Sequence, residues 1–113
     1  MTLKLFGLKN CDTCRKALRE IEASGQPAEF VDIRAEADLK TLLPRWLAAA
    51  GDKLVNRSST TWRALSDADK AKASGTTIEG LLLGNPALIK RPVIELGGEV
   101  LVGWTVETKA RIG

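Results

Sequence analysis

The chain has 113 residues, 44% hydrophobic and 27% charged, with a formal net charge of +3 and no histidine. That length suits one domain with a single core, and the positive excess is too mild and dispersed to argue for nucleic acid. The missing histidine excludes Ser-His-Asp and Cys-His catalysis and any imidazole metal site, and no run nears the roughly 20 apolar residues of a membrane helix.

Leu3 to Leu8 is an apolar run, expected as the first strand. It is too short and too quickly polar for a secretory signal, so a cytoplasmic location is the expectation. Apolar residues then recur at Cys14, Ala17, Leu18 and Ile21, the stripe of an amphipathic helix. Asp12 or Thr13 is its expected N-cap, and Gly25 its stop. Ala28 to Ile33 reads as the second strand. Leu39 to Ala50 reads as a helix closed by Gly51, with Trp46 in the core beside Leu42, Leu43 and Leu47. Pro44 fits its first turn if Thr41 is the cap; otherwise it kinks the helix. Thr61 to Ala73 is helical in composition, with Ser66 and Asp69 as a capping box. Thr77 to Leu83 is another short helix. Val93 to Leu96 and Glu99 to Trp104 form a hairpin through Gly97-Gly98, and Val106 to Ile112 a last helix.

This β-α-β start, followed by helices, a hairpin and a helix, implies a single α/β domain over residues 1–113 with a mixed sheet and helices on both faces. A C-x-x-C, Cys11-Asp12-Thr13-Cys14, sits where the first strand meets the first helix. That placement is the thioredoxin-like signature.

The motif holds both cysteines of the chain. Two ligands are too few for a zinc site, so no metal is expected. A structural disulfide would close a tiny loop and be unstable in a reducing compartment. Thiolate chemistry fits better. A sulfur at a helix start faces unpaired N–H groups and the positive end of the dipole, and Arg15 and Lys16 add charge one turn on. Cys11 is therefore the expected nucleophile. Cys14 is either the resolving thiol or a small buried hydrophobe on the apolar stripe, in which case an external thiol resolves the intermediate.

Phe6-Gly7 before the cysteine motif, Asn56-Arg57-Ser58, Thr60-Thr61-Trp62-Arg63, Ile89-Lys90-Arg91-Pro92-Val93 and Leu101-Val102-Gly103-Trp104 together resemble the ArsC/Spx/YffB family, and most of all its YffB branch. The resemblance implies a thioredoxin-like mixed four-stranded sheet with a helical insertion between strands two and three. It implies that Cys11 is the reactive cysteine, that Arg91 faces it, and that Pro92 is a cis-proline opposite the motif. Arg91 offers a planar fork of donors for a carboxylate or oxyanion, and Arg57 is a second candidate for the same anion pocket.

The activity so implied is a glutathione-dependent thiol–disulfide reductase, with glutathione as co-substrate and no bound cofactor. Its partners would be glutathione or another small thiol or oxyanion, with glutaredoxin as a further partner, and neither nucleic acid nor membrane; a monomer is expected. Two alternatives come with the family. Arsenate reductases carry Gly-Thr-Ser after the cysteine and a third arginine after the last strand pair; here those stretches read Asp12-Thr13-Cys14 and Val102-Gly103-Trp104-Thr105. Spx-like regulators bind the RNA polymerase alpha subunit and use C-x-x-C as a redox switch, but they run longer.

Overall fold

A computed structural model describes residues 2–112. Alternation puts Leu3 and Leu5 on one face of the first strand, β1 (Leu3–Gly7), and both are fully buried. Three more strands complete the sheet: β2 (Ala28–Asp32), β3 (Val93–Leu96) and β4 (Glu99–Val102). Their order is β2-β1-β3-β4. β1 runs parallel to β2, with Leu5 opposite Phe30, and antiparallel to β3, with Leu5 opposite Ile94. β3 and β4 are antiparallel, and the Gly97-Gly98 turn between them has positive φ at both residues (56° and 87°), as a tight hairpin requires.

The chain gathers into two compact units. The first comprises the residues up to Ala37 and those from Arg91 onward, and it holds the sheet. On one sheet face α1 (Asp12–Ala23) lays Cys14, Ala17 and Ile21 against Leu3, Leu5 and Ile94. Ile112 of α6 (Val106–Ile112) and Trp104 close the margin of this cluster. α1 ends as expected, with Gly25 at φ 89° after the Ser24 cap. It begins earlier than the apolar stripe suggests: Asp12 is already helical and Cys11 itself is the N-cap residue.

The second unit, Asp38–Lys90, is helical. α2 (Leu39–Ala50) ends at Gly51 as expected, but its N-cap is Asp38 rather than Thr41. The Thr41 hydroxyl donates instead to the Asp38 carboxylate at 2.8 Å. Pro44 therefore lies beyond the first turn and deprives the Lys40 carbonyl of its usual donor. Both residues are exposed, which makes the loss tolerable. α2 packs on α5 (Ile78–Gly84), with Leu43, Trp46, Leu81 and Leu82 buried. Trp46 is 0% exposed. Trp46→Ala is expected to lower stability by about 3–5 kcal/mol, read from the urea midpoint. An unchanged midpoint would remove Trp46 from the core.

The expected helix over Thr61–Ala73 is instead two single turns, α3 (Thr60–Arg63) and α4 (Asp67–Lys70). Each has its own serine cap: Ser59 Oγ accepts from the Trp62 N–H and Ser66 Oγ from the Asp69 N–H, both at 3.1 Å. A serine that caps a new helix must leave the old one, so Ser66 divides what composition alone would join. A bridge between Val55 and Ile89, with Asn56 N–H donating to the Leu88 carbonyl and Lys90 N–H to the Leu54 carbonyl at 2.7 Å each, fixes the segment that leads to Arg91.

Candidate active site

The site is built at one end of β1. Gly7 ends the strand, and the chain turns through Leu8 to Asn10, where the Cys11 N–H donates to the Leu8 carbonyl at 3.1 Å. Cys11 then takes an extended backbone (φ −93°, ψ 116°), and its carbonyl accepts the first helical bond, from Arg15 N–H at 3.0 Å. At the N-cap, a side chain is aimed at the unpaired N–H groups of the first turn. Cys11 is partly exposed, whereas Cys14, one turn into α1, is 0% exposed. Both are free thiols.

Arg91 belongs to the same unit and immediately precedes β3. The Arg91–Pro92 peptide is cis, as the resemblance implies, and the Pro92 carbonyl accepts from Gly103 N–H at 2.8 Å. The Arg91 guanidinium reaches the Cys11 sulfur. Cys11, Cys14, Arg91 and Pro92 are therefore assembled in the sheet unit.

The two thiols are driven apart in acidity. Burial alone would push Cys11 up. It is outweighed by the Cys14 backbone N–H, the Cys14 thiol and the Arg91 guanidinium, and Cys11 falls below its ordinary value. The neutral Cys11 thiol makes no regular capping bond; these donors favour its thiolate form. Cys14 is pushed up to about 12, chiefly by burial and then by the adjacent Cys11 sulfur, against the opposing pull of Leu8 N–H and Arg91. One proton shared between two sulfurs thus rests on the inner one. Arg91 is the cation that acts on the Cys11 sulfur, whereas the Arg15 guanidinium pairs with the exposed Asp12 carboxylate.

The chain matches the ArsC family over residues 6–112. It is a member of that family. A solved structure of a YffB protein is 37% identical and superimposes with a TM-score of 0.85, over 97% of each chain. The solution structure of an arsenate reductase-related protein from Brucella melitensis is 31% identical, with a TM-score of 0.78 over 98% of this chain and 93% of that one. A Haemophilus influenzae protein described only as uncharacterized is 38% identical over 103 residues, 90% of either chain. The fold is accordingly the thioredoxin-like one of ArsC proteins, with α2 to α5 as the insertion between β2 and β3. At family level the chemistry is that of a thiol-dependent reductase.

In this ArsC-family chain, Arg57 lies in the helical unit. Its guanidinium donates to the Ala73 carbonyl at 2.9 Å and the Asp52 carbonyl at 3.2 Å, and sits 5.4 Å from the centre of the Trp62 ring. Those donors hold three local segments together. Trp104 packs at the margin of the core cluster under α1, with its indole N–H donating to Glu20 at 3.1 Å. Among the described residues no group of three or more acidic or cysteine side chains could hold a metal. No described helix is long and apolar enough to cross a membrane.

One residue of the site drew no role from the sequence. A Cβ on Gly7 would lie 2.5 Å from Cys14 Sγ, so the strand has glycine where the inner sulfur approaches it. A glycine inside an otherwise apolar strand run is the signal that could have revealed it.

Proposed function

We propose that this chain is a glutathione-dependent thiol–disulfide reductase with Cys11 as nucleophile and Cys14 as resolving thiol. The observation that carries the proposal is the division of acidity: an outer sulfur favoured as thiolate beside Arg91, and an inner sulfur that keeps its proton. The Cys11 thiolate attacks one sulfur of a glutathione mixed disulfide. The S–S bond breaks, the departing thiolate takes a proton from water, and Cys11 is left in a new disulfide. The Cys11 charge, which added to burial in keeping the proton on Cys14, is then gone; burial still opposes ionisation there, and Leu8 N–H and Arg91 favour the thiolate. Cys14 gives its proton to the hydroxide left when the first thiolate was protonated and attacks the Cys11 sulfur; the mixed S–S bond breaks, the second thiolate leaves and is protonated by water, and a Cys11–Cys14 disulfide closes. Two glutathione molecules, directly or through glutaredoxin, return both cysteines to thiols and leave as oxidised glutathione. Arg91 presents its fork to a glutathione carboxylate. Glutathione is abundant in the cytoplasm, the compartment this reading requires.

Arsenate reduction is less well served. Val102-Gly103-Trp104-Thr105 supplies no arginine, and the donors of Arg57 already serve Asp52 and Ala73. A single guanidinium is enough for one carboxylate but leaves a tetrahedral oxyanion short of donors.

Mass spectrometry after exposure to oxidised glutathione tests the reading. Wild type is expected to pass through a glutathione adduct on Cys11 to an internal disulfide, and Cys14→Ser to stop at the adduct. An unmodified Cys11, or an adduct on Cys14, would sink the proposal.

A further inference from the structure

Gly7 is buried at the end of β1, and its backbone does not demand glycine, since its φ is outside the left-handed region. What demands it is space. A Cβ at this position would come within 2.5 Å of Cys14 Sγ and 3.1 Å of Cys14 Cβ, and the first distance is one that packed atoms do not tolerate. The strand cannot easily yield. Gly7 is paired with Asp32 of β2, and its carbonyl accepts the Ile33 N–H at 2.9 Å. The sulfur would have to move instead.

We propose that Gly7 is a positioning residue for the thiol pair: its missing side chain is the space that seats Cys14 Sγ against Cys11. The inference rests on the reading of Cys11 as nucleophile and adds what holds its partner in place. With a methyl group at residue 7, Cys14 Sγ is turned out of its seat. It then donates less well to the Cys11 thiolate and is poorly placed to close the internal disulfide.

The test compares wild type, Gly7→Ala, Cys14→Ala and the Gly7→Ala/Cys14→Ala double variant. Two quantities are read: the pH dependence of Cys11 alkylation by iodoacetamide, and the thermal midpoint. Gly7→Ala is expected to raise the alkylation midpoint and to slow alkylation at pH 7 roughly fivefold or more. In the Cys14→Ala background the same substitution should leave the alkylation profile unchanged, because no inner sulfur remains to be displaced. Equal shifts in both backgrounds, or no shift in either, would overturn the proposal. Should Gly7→Ala fail to fold, the double variant is expected to regain a cooperative melt, and its failure to do so would be equally fatal. A wild-type thiol that ionises like free cysteine would count against the nucleophile reading instead; the thermal comparison of single and double variants would still decide the role of Gly7.

Discussion

Cys11→Ser is expected to abolish reduction of glutathione mixed disulfides, with a loss on the order of a thousandfold or more in kcat/KM. A serine hydroxyl at the same N-cap would meet the same Cys14 N–H and Arg91 guanidinium, but its intrinsic acidity lies too far from neutrality for those donors to ionise it. It also cannot form the disulfide that carries the electrons. The fold should survive, because serine is a good N-cap residue and Cys11 is partly exposed. A coupled assay with glutathione reductase, run beside a thermal melt, separates lost chemistry from lost structure. Full activity in Cys11→Ser would end the assignment.

Arg91→Ala is expected to shift the acid limb of the pH–rate profile upward. The sign follows from the charge: the guanidinium favours the Cys11 thiolate by hydrogen bond and by Coulomb attraction, so its loss returns the thiol toward its ordinary value. Less thiolate is present at pH 7, and activity there should fall about 10- to 100-fold, the span of a charge-assisted hydrogen bond. Raising the pH should restore kcat, because the thiolate then forms unaided. It should not restore KM if the guanidinium also holds a carboxylate of the substrate. Arg91→Lys keeps the charge without the fork and should recover the pH profile better than it recovers KM. A profile unmoved in Arg91→Ala would separate the arginine from the sulfur.

Some of this site could be read without coordinates. The apolar stripe at Cys14, Ala17, Leu18 and Ile21 is local and periodic, and it puts the inner cysteine on the face toward the core; Cys14, Ala17 and Ile21 are buried in the fold and Leu18 packs partly buried against them. The Gly97-Gly98 hairpin and the helix Val106–Ile112 are also local patterns, and they occur where expected. Other features depend on competition between neighbours. Cys11 rather than Asp12 or Thr13 takes the N-cap position of α1, with extended backbone, while Asp12 is already helical and pairs with Arg15. Ser66 caps a new turn after α3 has ended at Arg63, and Asp38 takes the cap position expected of Thr41. Propensity measures each residue by itself and cannot rank neighbouring candidates for the position where the helix begins.

By itself the sequence determined that two thiols lie three residues apart at a helix start, the inner one on the apolar face, and the family resemblance carried by its motifs implied Arg91 and Pro92 as their companions. Only the tertiary structure decided that burial holds the proton on the inner sulfur and that Gly7 stands against it. The reason is distance along the chain. Helix periodicity acts within a few residues, whereas a pKa is set by whatever burial and charge folding brings to the atom, here a guanidinium 80 residues from Cys11, and the room for Cys14 Sγ by a strand residue seven positions earlier.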